Sequence, residues 1–307
     1  MHPVIAFPAL AGMSYPRLEG LGLMRVVAGP EEIPTLPQPD RAEVRVLMTS
    51  ATRGCSLEIA EALPNLAFVV SQGVGQERID MAALSKRNVR VRCVGEALTD
   101  DVADLAMALT HALCRNLVEA DEFARSGEWR KGRFALGDSL VGMTMGIAGL
   151  SGRIGQAIAT RATASRMNIA GLDRQSNTGL GASLYAGWSA LAAASDVLVL
   201  AVPGEPDLRH VIGADQLAAL GPKGRLVNVA RGSLVDTDAL IEALENQKIA
   251  GAALDVVEDE PEVPERLAAL PNVVLTPHIG AQTWGQRARG AAIAEDAVLS
   301  FLNGGGQ

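Results

Sequence analysis

The sequence predicts an α/β protein made of two doubly wound parallel-sheet domains with a cleft between them. Three observations carry this expectation. Short apolar runs alternate with helix-length segments along most of the chain, a spacing that calls for parallel strands joined by crossover helices. The runs are aliphatic and almost unbroken, as strands covered on both faces are. At 307 residues the chain exceeds one usual domain, so two cores are expected.

In the first hundred residues, 44–48, 67–71 and 89–92 read as strands, and 57–63 and 81–86 as helices. From Thr99 the pattern becomes a long apolar helix, 101–114, expected to continue through Asn116 and Ser126, to end near Gly127, and to bridge the domains. Gly142 opens a longer series, with strands at 145–149, 167–172, 197–202, 225–229, 249–254 and 273–276. Helices are expected near 153–163, 207–220, 236–246 and 263–269, and a last helix, 285–302, is expected to return to the first domain. The expected domains are therefore 1–98 with 283–307, and 99–282.

Composition excludes several function classes. Hydrophobic residues make up 48% of the chain and aromatics 3%, so aliphatic side chains fill the interior. The net charge of −8, with acids interspersed among bases, argues against a nucleic-acid partner, because phosphate binding needs clustered Lys and Arg. No apolar stretch is long enough to span a bilayer, and the first residues lack the basic and apolar regions of a signal peptide, so neither membrane nor export is expected. Cys55, Cys93 and Cys114 are odd in number and widely spaced, which predicts no disulfide framework, no metal site and a reducing cytoplasm.

The run Gly149-Leu150-Ser151-Gly152-Arg153-Ile154-Gly155 follows a strand and opens a helix. Glycines there let backbone N–H groups approach a pyrophosphate, which the helix N-terminus favours electrostatically. The loop carries one residue more than the usual Gly-x-Gly-x-x-Gly. Asp173 ends the next strand, eighteen residues beyond Gly155, where an acid accepts from the ribose hydroxyls of a dinucleotide. The second domain thus reads as Rossmann-like. Asp173 favours NAD(H) by repelling a 2′-phosphate; Arg174, helped by Ser176 and Asn177, offers NADP(H) as the alternative.

Arg231, Glu260 and His278 each follow an apolar run that reads as a buried parallel strand, and open α/β sheets bind ligands at the carboxyl ends of their strands. A cation, a carboxylate and an imidazole at such ends suit reduction of a 2-oxo acid: Arg holds the substrate, His gives the proton, and Glu keeps His charged. The blander reading is an Arg231–Glu260 ion pair at the surface. Pro277 restrains the backbone before His278, and Gly280 leaves space after it. Asp255 either faces a nicotinamide or holds its loop, and Gly73-Val74-Gly75 is either a carboxylate-binding nest or a tight turn.

Taken in order, these segments resemble the D-isomer-specific 2-hydroxyacid dehydrogenase family. The matching stretches are Gly73-Val74-Gly75, 98–106, Ser126-Gly127-Glu128-Trp129, the glycine loop, Ala230-Arg231-Gly232, Ala253-Leu254-Asp255-Val256 with Glu260-Pro261, and Pro277-His278-Ile279-Gly280. The 98–106 and 263–265 segments are more similar to the glyoxylate, hydroxypyruvate and hydroxyphenylpyruvate reductase branch than to phosphoglycerate dehydrogenases. Cys93-Val94-Gly95 and Glu77 depart from the family pattern. The resemblance implies that His278 is the acid-base group, that Glu260 raises its pKa, and that Arg231 and the N–H groups of Val74 and Gly75 hold the substrate. It places Thr99, Leu150, Ser151, Gly152, Arg153, Ile154, Asp173, Arg174, Val202, Val229, Ala230, Asp255 and Gly280 near the cofactor. A homodimer, formed largely through the cofactor domains and the segment after Trp129, is also implied. The alternatives are a D-3-phosphoglycerate dehydrogenase and a non-catalytic, NAD(H)-sensing corepressor-like protein.

Overall fold

The computed structural model describes residues 2–7 and 10–304. Two compact units result, Met1–Leu98 with Gln282–Gln307, and Thr99–Ala281.

The first unit begins with β1 (Val4–Ala6), α1 (Pro16–Gly20), β2 (Met24–Val26), α2 (Gln38–Glu43) and β3 (Val46–Ser50). It continues through α3 (Leu57–Ala62), β4 (Phe68–Gln72), α4 (Met81–Lys86) and β5 (Arg90–Val94). Its sheet is parallel throughout, in the order β2-β1-β3-β4-β5, a doubly wound arrangement. Alternate residues of each strand feed two different cores. Ile5, Leu47 and Val69 pack on one face, while Val4, Ala6, Val46, Met48 and Val70 pack on the other. Burial on both faces explains why these strands read as unbroken apolar runs rather than alternating ones.

The second unit holds α5 (Thr99–Arg115), α6 (Leu117–Arg125), β6 (Thr144–Ala148), α7 (Arg153–Ala164), β7 (Asn168–Leu172), β8 (Ser183–Tyr185) and α8 (Trp188–Ala193). Then come β9 (Val197–Leu200), α9 (Ala214–Leu220), β10 (Arg225–Asn228), α10 (Thr237–Glu245), β11 (Gly251–Leu254), α11 (Glu265–Ala268) and β12 (Val273–Leu275). Its seven-stranded sheet, again parallel, runs β12-β11-β10-β9-β6-β7-β8. Chain order reverses between β6 and β9, which makes the carboxyl end of β6 the topological switch point where such sheets bind nucleotides. α5 packs against α7 and against β10, β11 and β12.

The closing helix α12 (Trp284–Leu302) belongs to the first unit, where Ala294, Val298 and Phe301 enter the core above β4. Thr283 caps it, its hydroxyl accepting from the Gln286 N–H.

Two expectations about elements need correction. The helix expected from 101 to 126 is two helices: Asn116 takes a left-handed φ of 47°, which ends α5 and starts α6. The helix expected over 207–220 is α9 alone. His210 (φ 53°) breaks any earlier turn, and the Gln216 side chain accepts from the Gly213 N–H to cap the new start. In addition, the three-residue strands β1, β2 and β8 lie outside the strands read from the sequence.

Candidate active site

β10, β11 and β12 are neighbours, so the loops leaving their carboxyl ends are neighbours too. Arg231 follows β10, Glu260 follows β11 and His278 follows β12. The structure brings the last two together: His278 Nδ1 lies 2.8 Å from Glu260 Oε2. The imidazole is half exposed and the carboxylate slightly less so, which leaves the pair accessible to a small molecule.

The backbone aims that imidazole. His278 has a left-handed φ of 53°, and its N–H donates to the carbonyls of Asp255 (2.9 Å) and Thr276 (3.0 Å). Asp255 holds the rest of the loop. It is 2% exposed, and its carboxylate accepts from the Thr276 hydroxyl (2.6 Å), the Ile279 N–H (2.8 Å) and the Gly280 N–H (2.9 Å). With three donors satisfied, Asp255 anchors the His278 loop from below. Gly280 lets this happen, since a Cβ there would sit 3.1 Å from Asp255 Oδ2.

Arg231 is half-buried in an extended conformation, and its Nη1 donates to the Ala230 carbonyl at 2.8 Å. Its aliphatic stem lies over Gly204, where a Cβ would fall 2.6 Å from Arg231 Cγ. Asn228 fixes the turn from both ends: its Oδ1 accepts from the Ala230 N–H and its Nδ2 donates to the Arg231 carbonyl. Val229 and Ala230 are buried and Val202 half-buried, so they present backbone and aliphatic surface rather than polar groups.

The glycine loop sits at the switch point. Gly149 has φ 92°, a left-handed conformation, and a Cβ there would strike the Ala201 carbonyl oxygen at 2.4 Å. A Cβ at Gly155 would fall 2.1 Å from the Gly149 oxygen, so this glycine lets α7 press onto the loop. The additional residue is absorbed by turning Leu150 inward: its side chain is 1% exposed and packs over Gly171. Ser151 and Gly152 then project outward, and the Gly152 N–H closes a turn on the Gly149 carbonyl at 2.9 Å. Arg153 and Ile154 open α7, whose first-turn N–H groups have no intrahelical acceptor. Such a cradle fits a pyrophosphate.

Asp173 and Arg174 are exposed just past β7. The hydroxyl of Ser176 meets that of Ser151 at 3.1 Å, so the segment after Asp173 lies beside the glycine loop. Nearby, the buried Asn177 donates to the Leu172 carbonyl, while its Oδ1 has no hydrogen-bond partner. Thr99, at the start of α5, likewise has a buried hydroxyl with no partner. In the first unit, Gly73 (φ 105°) turns the chain after β4, leaving Val74 exposed and Gly75 buried.

Residues 107–280 match the model of the D-isomer specific 2-hydroxyacid dehydrogenase NAD binding domain. The chain belongs to the D-isomer specific 2-hydroxyacid dehydrogenases. Among its relatives in this family, glyoxylate/hydroxypyruvate reductase A of Arabidopsis thaliana is 41% identical over 261 residues, covering 85% of this chain and 83% of that one. Hydroxyphenylpyruvate reductase of Plectranthus scutellarioides is 42% identical over 240 residues, covering 78% and 76%. A solved structure of an NADPH-dependent glyoxylate/hydroxypyruvate reductase from Sinorhizobium meliloti, in complex with NADP and malonate, superposes with a TM-score of 0.86 at 36% identity, covering 98% of this chain and 94% of that one. The match to an NAD binding domain and the NADP held by a relative both point to a nicotinamide cofactor. Among the described residues, no helix is long and apolar enough to cross a membrane.

The contacts of four residues escaped the sequence reading. Gly204 and Gly232 are close-approach glycines, while the His210 ring meets the Glu258 carboxylate at 2.8 Å in the same unit. Only the left-handed backbone at His210 and the tight packing of the glycines mark them, and both appear only in three dimensions.

Proposed function

We propose that this dehydrogenase reduces a small 2-oxo acid (glyoxylate, hydroxypyruvate or an aryl-pyruvate) to the D-2-hydroxy acid, using NAD(P)H. The His278–Glu260 pair carries the reading, with 2.8 Å between Nδ1 and Oε2 on adjacent strand ends. The bound nicotinamide would supply the hydride. Glu260 orients the ring through Nδ1 and stabilises the imidazolium, which leaves Nε2 to protonate the substrate oxygen. Arg231 neutralises the substrate's carboxylate and polarises its carbonyl with a planar fork that Lys cannot reproduce. In the first unit, the N–H groups of Val74 and Gly75 offer a nest for a substrate carboxylate. The glycine loop and the α7 N-terminus hold the pyrophosphate, with Thr99, Val202, Val229 and Ala230 lining the cofactor. Asp173 favours NAD(H) at the ribose.

Exposed Leu117, Val118, Trp129, Leu136 and Val141 give the second unit an apolar surface, supporting a homodimer through this unit. Light scattering that gave a monomer mass at micromolar concentration would remove that assignment. The absence of a disulfide among the three cysteines suits the cytoplasm.

The decisive assay follows NADH and NADPH absorbance with glyoxylate, hydroxypyruvate, hydroxyphenylpyruvate and, run as oxidation, phosphoglycerate. Turnover of the first three is expected. His278→Ala should lower it by about a hundred-fold to ten-thousand-fold, the usual contribution of a positioned proton donor. A folded His278→Ala chain with unchanged kcat refutes the assignment, and turnover of phosphoglycerate alone selects the other branch.

A further inference from the structure

We propose that Glu258 is a positioning residue that sets the geometry of both Glu260 and Arg231. The inference rests on the function proposed above for those two side chains and adds the device that holds them.

Glu258 lies two residues before Glu260 on the loop leaving β11, and its side chain is 14% exposed. Every oxygen of its carboxylate is engaged. Oε1 meets His210 Nε2 at 2.8 Å and Arg209 Nη2 at 2.5 Å, and Oε2 accepts from the Thr237 hydroxyl at 3.3 Å. Two other segments therefore grip this one carboxylate: the loop after β9 and the start of α10. The backbone at His210 is left-handed, with φ 53°. Such a conformation in a non-glycine residue is costly and is kept when the surroundings enforce it.

The loop leaving β11 is thus fixed at both ends of a short span. Asp255 ties its start to the His278 loop through three hydrogen bonds, and Glu258 ties its middle to His210, Arg209 and Thr237. Glu260, next along, meets the imidazole. Removing the Glu258 clamp frees the middle of the span while leaving its start in place. The freed motion falls on the Glu260 end.

The same clamp reaches Arg231. Gly232 packs its backbone directly on the Val257–Glu258 peptide, where a Cβ would lie 2.0 Å from Val257 C and 2.4 Å from Glu258 N. The His210 segment pairs with the residues that follow: the His210 N–H donates to the Ser233 carbonyl at 2.8 Å and the Ile212 N–H to the Leu234 carbonyl at 3.0 Å. The Glu258 backbone and the His210 segment therefore enclose the turn that carries Arg231. A half-buried carboxylate with three charged or polar partners is a strong choice for such a joint, because its hydrogen bonds are charge-assisted and directional.

The test compares Glu258→Ala, Glu258→Gln, His210→Asn and His278→Ala in the full chain, with glyoxylate and hydroxypyruvate as substrates. Asn at 210 tolerates the left-handed backbone but is too short to reach Glu258, so it removes the contact alone. Glu258→Ala is expected to lower kcat/KM about 10-fold to 100-fold, chiefly in kcat, as small displacements of catalytic groups do, with cofactor Kd within about twofold. Glu258→Gln, which keeps an acceptor of the same shape, should recover most of the loss, and His210→Asn should shift the same quantities in the same direction. A readout without turnover is the His278 Nδ1 signal in long-range 15N imidazole spectra, which should move from its wild-type position in both Glu258→Ala and His210→Asn.

Wild-type kcat/KM and Nδ1 signal in folded Glu258→Ala overturn the proposal. If that chain does not fold, the same wild-type values in His210→Asn overturn it. A loss fully accounted for by weaker cofactor binding overturns it as well. His278→Ala separates the two levels: normal turnover there rejects the proposed function, whereas an inactive His278→Ala beside a wild-type Glu258→Ala rejects only the positioning role.

Discussion

Asp255→Asn is an informative perturbation because the substitution is almost isosteric and every partner is defined. Oδ1 accepts from the Thr276 hydroxyl and the Ile279 N–H, and Oδ2 accepts from the Gly280 N–H. If the amide keeps its oxygen at the Oδ1 position, Thr276 and Ile279 retain a neutral acceptor, while the Gly280 N–H faces an NH2 group. One charge-assisted bond is then lost at about 1.5–3 kcal/mol and two others are weakened, giving a total of about 2–4 kcal/mol. The site is 2% exposed, so water does not replace the missing acceptor without local opening. Against a typical domain stability of about 5–15 kcal/mol, this is a large fraction. Urea unfolding followed by circular dichroism should show a lower midpoint at unchanged slope. Activity should fall as well, because the loop bearing His278 loses its anchor, while cofactor Kd stays near wild type. Stability within about 0.5 kcal/mol of wild type would refute the anchoring role. A selective loss of cofactor affinity would restore the other reading of Asp255, in which it faces the nicotinamide.

Two further outcomes are expected. Asp173→Ser removes the charge that repels a 2′-phosphate while Arg174 stays in place, so the NADPH-to-NADH ratio of kcat/KM should rise about tenfold or more; an unchanged ratio would remove Asp173 from the ribose site. Burial pushes the Cys55 thiol up to about 12 and raises Cys114 and Cys93 above the ordinary thiol value. Because the thiolate is the nucleophile and a raised pKa depletes it, Ellman's reagent at pH 8 should label the folded chain slowly, half-buried Cys93 first and Cys55 only after unfolding. Rapid labelling of Cys55 in the folded chain would show that its surroundings are not closed.

The α/β class, the parallel strands and the glycine loop were legible in the sequence because each rests on local physics. A strand buried on both faces must be aliphatic, and a helix packed onto a tight turn must begin with glycines. The positions of Arg231, Glu260 and His278 after such runs were legible for the same reason: a residue just past a parallel strand lies at its carboxyl end. Their meeting was a different matter. That β10, β11 and β12 lie side by side, and that His278 Nδ1 comes within 2.8 Å of Glu260, follows from sheet order and loop conformation, which pair residues eighteen positions apart.

Other features depended wholly on tertiary structure. Asp255 could be read either as a ligand contact or as a loop anchor until its three donors were placed around it. The extra glycine-loop residue had no assigned place until Leu150 turned inward over Gly171. His210 and Glu258 are ordinary polar residues by type, separated by 48 positions, and they meet in the fold where the chain takes a left-handed turn at 210. Periodicity and composition report which side of an element is buried. Which distant loops share a carboxylate is decided by packing, because backbone conformations at single residues such as 210 and 278 redirect side chains in ways no repeating pattern encodes.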